Sequence, residues 1–209
     1  MSAARTVKNL LPAAFGQDLT SLDLRTFLVR HGDAPLLLVR IMPGDTEVEL
    51  GLAATVSSRP GRAATPKPLP FHTGYQEEPR TSQFPRPNAT EPRVMLRQLL
   101  EREAYFAVPL HKREDSDAMS MDRISVGRAN NKDVVLRHPS ISKFHAWFEV
   151  DEAQTVYVAD AGSTNGTQVD GRPLKPKMSI ILSPGQSIQF GAIECVLTPP
   201  DLLWAALNG

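Results

Sequence analysis

The chain has 209 residues, 41% of them hydrophobic, and its 23 basic and 23 acidic side chains leave a formal net charge of zero. That composition fits a soluble globular chain of one ordinary domain with extras or of two small ones, and it supplies no global field toward nucleic acid or an anionic membrane. Cys195 is the only cysteine, which excludes an intrachain disulfide and a cysteine-based metal site.

From the N-terminus, the apolar run "LLPAAF" is short and broken by Pro12, so it does not read as a signal peptide. No apolar window approaches a membrane-spanning length, and a reducing cytoplasm is the expected address. Leu19, Leu22, Phe27 and Leu28 are spaced like one helical face, with Gly32 as its C-cap. "LLLVRIM", then Pro43-Gly44-Asp45, then "EVELGLA" read as two strands around a turn. Residues 1–58 are therefore expected to form a small helix-plus-hairpin segment of unassigned role. It would bury little surface alone and would lean on the C-terminal domain or on a partner.

Within this segment "FLVRHGDA" (27–34) is similar to the histidine phosphatase signature, in which Arg-His-Gly follows a strand and the histidine takes up phosphate. That chemistry needs a second arginine and a second histidine from a sizeable α/β domain, and only a short segment is present. The plainer reading places Arg30 and His31 at the negative end of a helix dipole, capped by Gly32.

Residues 59–92 hold eight prolines, at 60, 66, 68, 70, 79, 85, 87 and 92, and no apolar periodicity. They read as an extended, partly polyproline linker. Thr65, Thr73, Thr81 and Thr90 lie in it, and Asn88-Ala89-Thr90 matches a glycosylation sequon by chance in a chain without a secretory signal.

Residues 93–209 follow as the main domain. A short helix opened by Pro92 carries Val94, Leu96, Leu99 and Leu100. Short strands then recur with regular punctuation: "YFAVPL", "RISVG", "VVL", "HAWFEV", "TVYVAD", "GTQV", "MSIIL", "SIQF" and "IECVL". Turn signals such as Asn130-Asn131, Asp170-Gly171 and Pro184-Gly185 separate them, which predicts an all-β sandwich or barrel. "HKREDSD" (111–117) reads as a solvated loop, and "PPDLLWAALNG" as a terminal helix. Cys195, within "AIECVLT", reads as a small buried hydrophobe.

Three polar clusters interrupt the strands: "GRANNKD" (127–133), "SISKFH" (140–145) and "GSTNGT" (162–167). Together they supply Arg128, Ser142, Lys143, Thr164 and Asn165: one guanidinium, one ammonium, two hydroxyls and an amide. This set suits an anion with several acceptor oxygens. It offers no acid–base pair or activated nucleophile, so binding rather than catalysis is expected, and no metal or cofactor is called for.

"VGR" at 126–128, "S-K-F-H" at 142–145 and "S-T-N-G-T" at 163–167, followed by "DGRPL" and "LSPGQSIQFG", resemble the forkhead-associated (FHA) domain family over roughly residues 105–198. The resemblance implies an eleven-stranded β-sandwich whose apical loops bind phosphothreonine in an extended peptide. Arg128 would pair with the phosphate and Ser142 would donate its hydroxyl to it. Lys143 stands where the family usually has arginine, keeping the charge and losing bidentate geometry. Thr164 would line the phosphothreonine pocket and Asn165 would bond the peptide backbone. Gly127 and Gly166 would be positions where a side chain clashes, and His145 would tie the loops together. Gln168 and Gln186 depart from the family's usual residues. The expected function is a phosphothreonine-peptide-binding signalling adaptor, not an enzyme. Its partners would be a Ser/Thr kinase or a kinase substrate, and phosphorylated linker threonines could serve as its own ligands. A phosphate-independent adaptor, or the histidine phosphatase, are the alternatives.

Overall fold

The computed structural model describes residues 18, 21–41, 92–113, 116 and 122–208. The second strand expected at "EVELGLA", the linker threonines, the sequon and part of the 111–117 loop lie outside the described residues.

Among the described residues eleven strands form two sheets packed as a sandwich. Strand β1 spans Leu36–Ile41, β2 Ala104–Pro109, β3 Ile124–Gly127, β4 Val134–Val135, β5 Ala146–Val150 and β6 Val156–Asp160. Strand β7 spans Thr167–Val169, β8 Arg172–Pro173, β9 Ser179–Leu182, β10 Ser187–Phe190 and β11 Ile193–Thr198. One sheet has the order β2-β1-β11-β10-β7-β8 and the other β4-β3-β5-β6-β9. The core between them includes Leu37, Val39, Val126, Phe148, Val158, Ile188, Phe190 and Cys195. Burial pushes the Cys195 thiol's pKa well above its ordinary value, in keeping with a packing role.

β1 departs from the expected local hairpin. It lies inside the six-stranded sheet, antiparallel to β11 on one side (Leu36 opposite Thr198, Val39 opposite Cys195) and to β2 on the other (Ile41 opposite Ala104). The sandwich thus takes its first strand from residues ahead of the proline-rich stretch, outside the 105–198 span of the family resemblance. The physical reason is two-sided burial. Leu37 and Val39 face the sandwich core, while Leu36 and Leu38 face a second cluster on the sheet's outer side. A strand covered on both faces reads as a continuous apolar run, and a lone hairpin would leave one of those faces wet.

Three helices build that outer layer: α1 (Leu24–His31), α2 (Pro92–Arg102) and α3 (Pro200–Asn208). Phe27 of α1, Leu96 and Leu100 of α2, and Leu203 and Ala206 of α3 pack on Leu36, Leu38, Tyr105, Ala107 and Val196. α1 begins later than the expected helical face. Asp23 is its N-cap and accepts the Thr26 N–H at 3.2 Å, so Leu22 lies ahead of it. Trp204 Nε1 donates to the Leu22 carbonyl at 3.0 Å and ties α3 to that entry.

Candidate functional site

At one end of the sandwich β3 and β6 finish while β5 and β7 begin, so the loops 128–133, 136–145 and 161–166 meet there; we call this end apical. Gly127 lets two of them touch. A methyl on Gly127 would overlap the Lys143 carbonyl oxygen and come within 2.9 Å of its carbon and 3.1 Å of Phe144 Cα. The close approach allows Arg128 N–H to donate to the Ser142 carbonyl at 3.0 Å and Ala129 N–H to the Lys143 carbonyl at 3.4 Å. Gly166 is required for a different reason than a clash. A methyl there would meet open space, but its φ of +75° is a left-handed conformation that side chains disfavour.

His145 is fully buried and spans two loops. Its Nδ1 accepts the Ser142 N–H at 3.1 Å, which leaves the proton on Nε2 to donate to the Gly166 carbonyl at 3.1 Å. Burial holds its pKa below the ordinary histidine value, and the Gly166 bond and the Asp160 charge offset part of that. This neutral histidine edges onto the Phe190 ring in the core.

The five residues expected to bind are placed together around this end. The side chains of Arg128 and Lys143 are exposed and have no partner among the described residues. Ser142 Oγ accepts the Thr164 N–H at 3.1 Å and reaches Thr164 Oγ at 3.4 Å. Asn165 Nδ2 donates to the Ser140 carbonyl at 2.8 Å, which turns one face of the amide inward and leaves Oδ1 as an acceptor.

Supporting residues were not singled out from the sequence. Asp160 accepts from the Gly162 and Ser163 N–H groups and from the hydroxyls of Ser163 and Thr167, at 2.7–2.9 Å. Burial pushes this carboxyl up, but those hydrogen bonds outweigh burial and hold it below the usual carboxylate range. Asp133 does the same for the 128–133 loop. It accepts the Ser125 N–H and hydroxyl at 2.7 and 2.6 Å and the Arg113 N–H at 2.8 Å. Arg113 and Lys112, expected in a solvated loop, are therefore pinned here. Ser140 Oγ receives the Ala192 N–H at 2.9 Å and joins the β10–β11 turn to the site. Aspartates at strand boundaries and serines inside a polar cluster were the available signals.

The two departing glutamines are explained. Gln168 stands opposite Gln189 in the sheet. Gln186 accepts the Ser183 N–H and donates to Asp170, both at 2.7 Å, clamping the β9–β10 turn to the β7–β8 turn. Asp170 and Gly171, with φ of 48° and 73°, make the two-residue hairpin between β7 and β8.

The Arg30-His31-Gly32 motif takes the plainer reading. Both side chains are held by Asp18, Arg30 Nη1 at 3.0 Å and His31 Nε2 at 2.7 Å, and the Gly32 N–H caps α1 on the Leu28 carbonyl at 2.8 Å. No helix among the described residues is long and apolar enough to cross a membrane.

A two-sheet sandwich thus gathers three polar loops at one end. Residues 124–191 match the family model of the FHA domain, and the chain carries an FHA domain. The FHA domain-containing protein PS1 of Arabidopsis thaliana is 32% identical over 78 residues, which cover 37% of this chain and 5% of that protein. The FHA domain of the CT664 protein from Chlamydia trachomatis is 28% identical over 46% of this chain and 84% of its own, with a TM-score of 0.36. The MEK1 FHA domain, in complex with a HOP1 phosphothreonine peptide, is 28% identical over 45% of this chain and 88% of its own, with a TM-score of 0.36.

Proposed function

We propose that this protein binds phosphothreonine-containing peptides at the apical loops and acts as a signalling adaptor, with Ser/Thr kinases or their substrates as partners. The carrying observation is that Arg128 and Lys143, both exposed and without partners among the described residues, share one end of the sandwich with Ser142, Thr164 and Asn165. Arg128 and Lys143 supply charge to a phosphate, Ser142 its hydroxyl, Thr164 the wall beside the threonine methyl, and Asn165 a peptide-backbone acceptor. Gly127, His145 and Gly166 keep the three loops at fixed separation, so little ordering is left to be done on binding.

Bonds to a charged phosphate are worth roughly 1.5–3 kcal/mol each before ordering costs, so three or four suit a micromolar-range ligand. The threonine methyl adds about 0.8 kcal/mol, or roughly fourfold over phosphoserine. A phosphothreonine at Thr65, Thr73, Thr81 or Thr90 of the chain itself is a ligand of the same class, and mass spectrometry of protein from its native source would detect it. The decisive measurement is titration with matched phosphothreonine, phosphoserine and unmodified peptides. Phosphothreonine should bind best, and Arg128→Ala should abolish the difference from the unmodified peptide. Equal binding of all three, or an indifferent Arg128→Ala, refutes the reading.

A further inference from the structure

The chain is neutral overall, but its apical end is not. On one flank of the site Arg128, Arg137 and Lys143 are exposed, and Arg137 Nη2 donates to Asn130 Oδ1 at 2.9 Å, bridging the 128–133 and 136–145 loops. On the other flank the segment 174–178 rises to the same end. The Leu174 N–H donates to the Thr167 carbonyl at 2.8 Å and the Lys177 N–H to the Asp160 carbonyl at 2.7 Å, beside the 161–166 loop. Lys175 and Lys177 there are exposed.

Among the described residues of these loops, both carboxylates are turned inward. Asp133 and Asp160 are buried and saturated by the hydrogen bonds described above. The loops 128–133, 136–145 and 161–166 and the segment 174–178 contain no other Asp or Glu. Glu103 and Glu194, at the entries to β2 and β11, are paired with Arg40 of β1. Three further exposed cations, Arg137, Lys175 and Lys177, thus flank Arg128 and Lys143 on two sides.

From this charge arrangement we infer that the ligand is an acidic phosphopeptide, with carboxylates or further phosphates on both sides of the phosphothreonine. Arg137 takes the anionic residues on one flank, and Lys175 and Lys177 those on the other. The inference rests on the proposed phosphothreonine reading and names the sequence class that reading leaves open. Exposed pairs contribute modestly one at a time, so the preference is a sum over several contacts, and it is sensitive to salt because each contact is wet. The same field speeds encounter with an acidic segment.

The test uses the full chain and fluorescence anisotropy with peptides sharing one phosphothreonine and carrying Glu, Gln or Lys at two positions on each side. At about 50 mM salt, where the screening length exceeds 10 Å, the Glu peptide should bind roughly tenfold tighter than the Gln peptide. The gap should shrink to about twofold near 0.5 M salt. Lys175→Gln with Lys177→Gln, or Arg137→Gln, should each remove several-fold of the gap and leave the Gln peptide unchanged. Lys175→Glu with Lys177→Glu should favour the Lys peptide. The lysine variants break no side-chain hydrogen bond among the described residues, so they stay interpretable if Arg137→Gln disturbs the Asn130 loop. Equal binding of Glu and Gln phosphopeptides at low salt overturns the inference, as does equal weakening of both by the lysine variants. Equal binding of phosphorylated and unphosphorylated Glu peptides instead refutes the phosphothreonine reading itself.

Discussion

Replacing Gly127 by alanine isolates the contact on which the apical site is built. The added methyl would lie 2.9 Å from the Lys143 carbonyl carbon, where ordinary contact begins at 3.4 Å. The obstruction is backbone, not a side chain that can swing aside. The Lys143 carbonyl oxygen lies closer still, so loop 142–145 must retreat by more than the 3.4 − 2.9 = 0.5 Å that the carbon alone demands. That stretches the Arg128 N–H to Ser142 carbonyl bond from 3.0 Å to beyond 3.5 Å, the limit of a hydrogen bond, and it breaks the Ala129 N–H to Lys143 carbonyl bond, already at 3.4 Å. Strain of about 1–3 kcal/mol for overpacking and about 1 kcal/mol for each weakened bond give an expected loss of roughly 3 kcal/mol. Gly166→Ala is the control. Its methyl meets open space, so only the left-handed φ is penalised, at about 1–2 kcal/mol. Urea unfolding of the full chain should rank Gly127→Ala below Gly166→Ala below the unaltered protein. Under conditions where Gly127→Ala is still folded, it should also bind phosphothreonine peptide more weakly, because Arg128 moves with the loop. A Gly127→Ala protein within about 1 kcal/mol of the original, with binding intact, would refute the close-approach argument.

Other expectations follow from the same contacts. Burial holds His145 below the ordinary value of 6.5, so the unfolded chain takes up a proton first as the pH falls. Stability should be full above that value and decline as the pH drops from it toward the folded-state value; unfolding curves at stepped pH should show this, and His145→Gln should flatten it. Asp160 is held low, so its contribution should persist above the usual carboxylate range and be lost only in acid; Asp160→Asn should cost about 2–3 kcal/mol by calorimetry at neutral pH. Leu38, buried between β1 and the helical layer, should cost about 2–4 kcal/mol when cut to alanine, measured by denaturant unfolding, with phosphopeptide affinity of the folded protein retained. Lys143→Arg restores bidentate geometry at an exposed cation and should tighten phosphopeptide binding severalfold in a titration.

The sequence showed the apical clusters because their chemistry is local. Arg128, Ser142–Lys143 and Thr164–Asn165 are short polar interruptions between apolar strands, and Asp170-Gly171 declares its hairpin through backbone conformation alone. It did not show what depends on distance. Asp133 and Asp160 look like ordinary aspartates at strand boundaries until the fold closes N–H groups around them. Gly166 and Gly127 look alike in sequence, yet one answers to its own φ and the other to a backbone sixteen residues away. β8, two residues long and containing Pro173, carries no periodic signal at all.

The assignment of β1 turns on which contacts decide a strand's partner. Proximity in sequence favoured a hairpin across Pro43-Gly44-Asp45, since short loops close cheaply. Burial favoured a distant pairing, because "LLLV" has no polar face to give to water. Leu36 and Leu38 and Leu37 and Val39 are all buried in the sheet, and four such side chains are worth roughly 1.5–3 kcal/mol each. Against this, even a connection with no order of its own costs only about 0.6 kcal/mol more for each doubling of its length. Ile41 and Ala104 face each other across the β1–β2 ladder, so the chain leaves and re-enters the sheet at neighbouring points. A long insertion there lengthens a loop without displacing a strand. Two-sided burial of β1 therefore outweighs the separation of roughly sixty residues by several kcal/mol, and the sandwich can close around a first strand that its own linker holds at a distance in sequence.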